Sequence, residues 1–153
     1  MLESCYMKRE FAEQDLKEVA REVLDLIVSS LEKATVLALS GPLGAGKTSL
    51  VKEIAKELGV EETVVSPTFV IAKWYAPKRG DFDVLVHIDA YRIDTEEELV
   101  PLGFSKLLTE PRTLVVIEWP ERVPTALSST TVSLFTLGHQ GDVRTIEGPK
   151  VYE

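Results

Sequence analysis

The sequence predicts an α/β fold with a mixed sheet, and three observations lead to that prediction. A short apolar run at 35–40 is typical of a buried strand, and a glycine-rich loop follows it directly. Apolar residues then recur at helical spacing over 50–58, and Gly59 provides a stop signal. Two further apolar runs, 70–75 and 84–88, are separated by a turn short enough for an antiparallel hairpin, so the sheet is not expected to be purely parallel.

Composition narrows the class of protein. A chain of 153 residues, 44% hydrophobic and 27% charged, is expected to form a single domain over 1–153. Its formal net charge of −8 argues against strong nucleic-acid binding by this chain alone, because neutralising phosphates needs a basic surface. The single cysteine, Cys5, and the absence of an export signal or a long apolar run predict a cytoplasmic protein without a membrane span.

The remaining elements follow from periodicity and turn signals. Apolar positions from Leu16 to Leu31 mark one face of a helix that begins after Asp15. Thr95 with Glu98 three residues later forms a capping box and predicts a short helix there. The other expected elements are an edge strand at 7–12, a helical piece at 105–108, a central strand at 113–117, and a terminal hairpin of 131–137 with 143–146.

Residues 41–48 satisfy G-x-x-x-x-G-K-[ST], the phosphate-binding loop pattern, between a strand and a helix. In such a loop the glycines let successive N–H groups point at one phosphate chain, and the helix N-terminus adds partial positive charge. Lys47 is expected to reach the β- and γ-phosphates and the Thr48 hydroxyl to hold Mg²⁺. The alternative is that the pattern occurs by chance on a tight turn. The predicted strand before it and helix after it argue against that alternative, because a chance match would not require them. The expected phosphate-side residues are Gly41, Leu43, Gly44, Ala45, Gly46, Lys47, Thr48 and Ser49.

Two carboxylates could complete this site, because each follows an apolar strand. Asp89 ends the run 84–88 and Glu118 ends 113–117, where a residue that positions Mg²⁺ or the attacking water is expected. Either could instead be an ordinary strand-end residue. Thr68, beside Pro67, is where GTPase-like proteins place a threonine that senses the γ-phosphate, although Ser-Pro-Thr alone is also a simple turn. Trp119 could pack on a nucleotide base or fill core.

Taken in order, the segments GPLGAGKTS (41–49), SPTF (66–69), HIDAYR (87–92), LGF (102–104) and IEWPER (117–122) resemble the TsaE family, also called YjeE. The resemblance implies a P-loop NTPase-like three-layer α/β/α sandwich, in which antiparallel strands flank a parallel core. It also implies an ATPase that uses ATP and Mg²⁺ in threonylcarbamoyladenosine modification of tRNA. The TsaB and TsaD proteins would be its partners, and tRNA would be met only through that complex.

The same resemblance implies roles for individual residues. Gly44, Gly46 and Lys47 would hold phosphates, while Thr48 and Glu118 would bind Mg²⁺. Further positions are implied with less defined roles: Ser49 as a cap of the helix start, Thr68 as a switch-like threonine, Asp89 as an orienter of water or metal, Trp119 near the nucleotide, and Tyr91 and Arg92 in the Asp89 motif. Leu16 departs from the threonine that many members carry in the first helix, which puts a base contact from that helix in doubt.

Three other functions share the loop. A small-molecule kinase would need several arginines on a lid, whereas the arginines here are scattered. A GTPase would carry N-K-x-D, which is absent. A nucleotide-dependent assembly module with little turnover remains an alternative. Because no arginine is recognisable as a finger in cis, hydrolysis by the isolated chain is expected to be weak and partner-dependent.

Overall fold

The computed structural model of the chain describes residues 6–27, 30–67 and 69–152, and its strands pair into a seven-stranded sheet. The strand order is β1-β7-β6-β2-β5-β4-β3. The strands are β1 (Met7–Phe11), β2 (Thr35–Ser40), β3 (Ala72–Tyr75), β4 (Val84–Asp89), β5 (Thr113–Glu118), β6 (Val132–Gln140) and β7 (Val143–Tyr152).

The sheet is parallel at its centre and antiparallel at both edges. Strand β2 pairs in parallel with β5 and β6, and β4 pairs in parallel with β5. Strand β3 is antiparallel to β4, which confirms the predicted hairpin. At the other edge β7 is antiparallel to both β6 and β1, so the predicted edge strand near residue 7 is also confirmed.

Two layers of helix cover the sheet, as expected for an α/β/α sandwich. Strand β2 contributes to both cores, because Leu37 and Leu39 face one side while Val36 and Ala38 face the other. Helices α1 (Leu16–Leu26) and α2 (Lys47–Glu57) cover the first side. The second side is covered by short pieces: the 3-10 helices Glu96–Leu102 and Pro120–Arg122, and helices α3 (Phe104–Leu107) and α4 (Pro124–Leu127). Across the described part of the chain, every helix is too short or too polar to cross a membrane.

The first helix is shorter than its apolar pattern predicts. The expected helical face ran to Leu31, but α1 ends at Leu26 and Leu31 is 81% exposed. The chain leaves helical geometry at Ile27, whose backbone is extended (φ −108°, ψ 143°). Further on, the Ser30 hydroxyl accepts the backbone N–H groups of residues 32 and 33 and so stabilises a turn around Leu31 instead of a helix. Val28, one of the positions assigned to this face, lies outside the described residues.

The strand expected at 70–75 begins two residues later, at Ala72. The N–H groups of Val70 and Ile71 both bond to the carbonyl of Pro67, which forms a turn before the strand. Ile71 adopts φ +69°, an uncommon conformation for a β-branched residue. Its carbonyl accepts the N–H of Asp89, so the turn is tied directly to the end of β4.

Two other expectations need adjustment. The Thr95 capping box is present, since Glu98 accepts the Thr95 N–H at 3.1 Å, but it opens a 3-10 helix rather than an α-helix. Pro101, which cannot donate an interior helical bond, lies inside that element. The terminal hairpin is longer than expected, because the β6–β7 ladder continues to Gln140 at the turn and to Tyr152 at the far end.

Candidate nucleotide-binding site

The candidate site lies at one edge of the sheet, where β2, β5 and β4 end. Asp89 and Glu118 are paired positions at the ends of neighbouring parallel strands. Because alternate residues of a strand face the same side, Asp89 lies on the same face of the sheet as Leu85, and Glu118 on the same face as Val116. Leu85 and Val116 belong to the core beneath α2. Strand order and alternation together therefore bring both carboxylates to the side of the sheet where the glycine-rich loop enters α2.

Glycine conformation shapes the loop. Gly41 has φ +147°, and a Cβ atom there would lie 2.3 Å from the carbonyl oxygen of Leu137 in β6. Gly46, with φ +100°, is the N-cap of α2. Ala45, expected at the phosphates, packs its fully buried side chain into the core, which leaves only its backbone to face a phosphate chain.

The start of α2 corrects one expectation. Ser49 was expected to cap the helix, but Gly46 is the N-cap and no side-chain cap bond is formed there among the described residues. Ser49 lies in the first turn and lines the cavity instead. Because no side chain takes up the first N–H groups, they can bind an anion.

Lys47 is held over this cavity although it is only 4% exposed. Its Nζ donates to the carbonyl oxygens of Gly41, at 2.5 Å, and Pro42, at 2.9 Å, and lies 4.4 Å from the ring centroid of Trp119. Burial lowers the pKa of Lys47 below its usual value, and the nearby carboxylates Glu118, Glu121 and Asp89 offset part of that effect. A bound phosphate chain would supply the anion that this ammonium lacks.

Thr48, Glu118 and His87 form a hydrogen-bonded chain that runs from the half-buried Thr48 to the buried Glu118 and His87. The Thr48 hydroxyl lies 3.0 and 3.1 Å from the two carboxylate oxygens of Glu118. On its other side Glu118 is 2.6 Å from Nε2 of His87, which is fully buried. Nδ1 of His87 has no hydrogen-bond partner among the described residues, so His87 serves Glu118 alone.

Asp89 is the second buried carboxylate of the site. Burial raises its pKa above the usual value, and the N–H that Tyr91 donates to its Oδ1 at 3.0 Å offsets part of this effect. The negative charge of nearby Glu118 raises the pKa further. A carboxyl group with such a pKa is suited to accept a proton from, or to orient, a water molecule at the cavity.

Aromatic and cationic side chains form one wall. Trp119 adopts φ +61°, and its ring centroid is 5.0 Å from that of Tyr91. The guanidinium of Arg92 lies 4.9 Å from the ring of Phe69, and that of Arg122 lies 5.9 Å from the ring of Tyr91. Tyr91, Arg92 and Trp119 line the cavity, whereas Arg122 and Phe69, which is 87% exposed, lie outside its lining.

These groups enclose a cavity of about 400 Å³. Most residues predicted from the sequence line it, whereas Gly41 and Ala45 support the loop from behind, and Thr68 lies outside the described residues. The lining residues are Leu43, Gly44, Gly46, Lys47, Thr48, Ser49, Ser66, Asp89, Tyr91, Arg92, Glu118, Trp119 and Arg144.

Sequence reasoning missed three participants. His87 could have been found, because it lies two residues before Asp89 and so shares its side of β4. Ser66, two residues before Thr68, also lines the cavity. Arg144 is the one family-like position of the terminal hairpin, but its local sequence does not place it at the site, because the position of that hairpin beside β2 is what brings it to the loop.

The oxygen donors present fit a magnesium ion. Mg²⁺ prefers oxygen ligands and is commonly held by one or two protein groups, with nucleotide phosphates and water completing the octahedron. The Thr48 hydroxyl and the Glu118 carboxylate are such a pair. No group of three or more His, Cys, Asp or Glu residues in the described ranges could hold a metal by itself.

Fold and site together define a phosphate-binding-loop α/β protein of the NTPase type. Comparison with known proteins specifies the family: residues 12–146 match the family model described as "Threonylcarbamoyl adenosine biosynthesis protein TsaE". The chain belongs to the TsaE family, and the resemblance seen in its motifs is confirmed.

Individual relatives agree with this assignment. The chain is 42% identical over 99 residues to the tRNA threonylcarbamoyladenosine biosynthesis protein TsaE of Mycobacterium tuberculosis, covering 61% of this chain and 58% of that protein. It is 36% identical over 119 residues to the protein of the same name from Nostoc, covering 76% and 71% respectively. The crystal structure of Bacillus subtilis YdiB superimposes with a TM-score of 0.70 at 25% identity, covering 96% of this chain and 86% of YdiB. The match thus spans less than two thirds of the mycobacterial relative.

Proposed function

We propose that this chain hydrolyses ATP to ADP and phosphate in support of threonylcarbamoyladenosine modification of tRNA. One observation carries the proposal: Lys47, Thr48 and Glu118 converge on a single cavity at the mouth of a phosphate-binding loop. Membership of the TsaE family supports the link to tRNA modification. The modified position would be adenosine 37, as the resemblance implies.

The chain's own residues account for hydrolysis of the γ-phosphate. The loop N–H groups and the Lys47 ammonium bind the phosphates and neutralise charge that develops as water attacks in line. Thr48 and Glu118 would hold Mg²⁺, which supplies Lewis-acid stabilisation of the phosphate oxygens when bound. Asp89, whose pKa is raised by burial, would orient the attacking water.

The partners we propose are TsaB and TsaD, in the cytoplasm. With a formal net charge of −8, this chain is a poor surface for tRNA, so tRNA would be bound by the complex. ATP hydrolysis here would drive or reset that complex. We expect weak turnover alone, because a partner can add the groups that complete the transition-state site.

The test is ADP release by the chain alone, with TsaB and TsaD, and with tRNA added. We expect clear stimulation by the partners, and loss of hydrolysis and of tRNA modification in Lys47→Ala. Lys52→Ala is the matched control, since Lys52 is an exposed lysine on the same helix and should leave both activities unchanged.

Each alternative corresponds to a different result. Tight ATP binding without hydrolysis in any mixture would favour a nucleotide-dependent assembly module. Phosphate transferred to a metabolite would favour a kinase. Full tRNA modification by Lys47→Ala would show that nucleotide chemistry at this loop is dispensable and would refute the proposal.

A further inference from the structure

We infer that Arg144, on the terminal hairpin, binds the α-phosphate end of the nucleotide and is a nucleotide-binding residue of this site. The inference rests on the proposed function, since it assumes that a nucleoside polyphosphate occupies the cavity. It assigns a role to a strand that lies outside the loop motifs.

Arg144 reaches the loop from the side. It is the second residue of β7, paired with Phe11 of β1 and His139 of β6. A Cβ atom built on Gly46 would lie 3.1 Å from Nη1 of Arg144 and 3.5 Å from its Cζ, so the guanidinium packs against the residue that caps α2. Arg144 also lines the cavity that holds Lys47.

The electrostatics of this position call for an anion. A cation beside the N-terminus of a helix is unfavourable, because the helix end already carries partial positive charge. Within the described ranges Arg144 forms no ion pair and no hydrogen bond from its guanidinium, whereas Arg9, Arg21 and Arg112 each contact a carboxylate. The charge of Arg144 is therefore available to a phosphate in the cavity.

Sheet topology decides which phosphate. Strand β2 carries the loop, with β5 on one side and β6 followed by β7 on the other. Glu118 ends β5 and contacts Thr48, so the residues that would hold Mg²⁺ at the terminal phosphates lie on that flank. Arg144 lies on the opposite flank. A phosphate chain that crosses the loop from the Glu118 flank thus presents its α-phosphate to Arg144.

This placement has a kinetic consequence. The α-phosphate is the same in ATP and ADP, and little charge develops on it while the γ-phosphate is transferred. An arginine bound there contributes equally to ground state and transition state, so its loss raises KM and leaves kcat almost unchanged. An arginine at the γ-phosphate would instead discriminate ATP from ADP and lower kcat.

The experiment is calorimetric titration of ATP and ADP into Arg144→Ala, together with KM and kcat for hydrolysis in the presence of the partners. Because hydrogen bonds to charged groups are among the stronger ones, both nucleotides should bind about tenfold more weakly or worse, by a similar factor. Arg144→Lys should recover part of the affinity, since it keeps the charge but loses the bidentate geometry. Lys150→Ala, which removes an exposed cation from the same strand, is the control and should bind as wild type does.

Several results would overturn the inference. Unchanged affinity for both nucleotides in a folded Arg144→Ala would show that the guanidinium makes no nucleotide contact. Weaker binding of ATP alone, or a fall in kcat at constant KM, would place Arg144 at the γ-phosphate. If the wild-type protein bound neither nucleotide, the proposed function itself would fail. If the wild-type protein bound and hydrolysed ATP and the variants did the same, only the role of Arg144 would be refuted.

Discussion

Replacement of Gly41 by alanine tests whether the loop is held in shape by close packing against β6. The new Cβ would lie 2.3 Å from the carbonyl oxygen of Leu137, whereas close carbon–oxygen contacts in proteins are about 3.3–3.6 Å. The overlap is therefore about 1 Å. The Leu137 oxygen belongs to the backbone, and the new Cβ is attached directly to it. A rotamer change cannot relieve it, so the loop or β6 must move.

Gly44→Ala separates this overlap from the cost of backbone conformation. Gly44 also has a positive φ, +80°, but a Cβ there would meet no atom within 4 Å. A left-handed conformation costs a non-glycine residue about 1–2 kcal/mol, and overpacking typically adds about 1–3 kcal/mol. We expect Gly41→Ala to lower the free energy of unfolding by about 2–5 kcal/mol and Gly44→Ala by about 1–2 kcal/mol.

The assay is urea unfolding of wild type and both variants, followed by circular dichroism. Because a domain of this size loses about 2–4 °C in Tm per kcal/mol, thermal unfolding should show Gly41→Ala melting several degrees below Gly44→Ala. Equal losses in the two variants would refute the reasoning, since they would mean that the approach to Leu137 adds nothing to the conformational cost.

Two further predictions concern the buried polar groups. Asp89→Asn should raise the free energy of unfolding at pH 7 by about 0.5–2 kcal/mol while reducing hydrolysis, because it removes a buried charge beside Glu118 and can keep the bond from the Tyr91 N–H. Burial raises the pKa of Asp89 in the folded state, so the folded protein binds more protons than the unfolded chain between the two pKa values, and wild-type stability falls as the pH rises through that window. The gain in the free energy of unfolding from Asp89→Asn should therefore vanish below the pKa of Asp89 in the unfolded chain. Urea titrations of both proteins from pH 3 to 8 check this, and a gain that stays constant over that range would contradict it. Thr48→Val should raise the Mg²⁺ concentration needed for half-maximal hydrolysis by about tenfold or more, because it removes one oxygen donor while conserving shape. Thr48→Ser should restore the wild-type requirement, and an unchanged Mg²⁺ dependence in Thr48→Val would argue against this ligand.

The local sequence pattern predicted secondary structure correctly where neighbouring residues alone determine the element. The glycine-rich loop, the helix after it and the strands ending at Asp89 and Glu118 could all be predicted, because glycine spacing and apolar periodicity act over neighbouring residues. Local pattern failed at Leu31, because the backbone is already extended at Ile27 and the Ser30 hydroxyl then holds the following residues in a turn.

By itself, the sequence determined the chemistry available to this protein: a phosphate-binding loop with Lys47 and Thr48, and carboxylates at strand ends. Only the tertiary structure decided how those groups meet. The pairing of β4 with β5 brings His87 to Glu118, and the hairpin beside β2 brings Arg144 to Gly46. Both juxtapositions depend on strand order between segments far apart in the chain. Strand order depends on the packing of the whole sheet between its two helical layers, so it cannot be predicted from any short segment of the sequence.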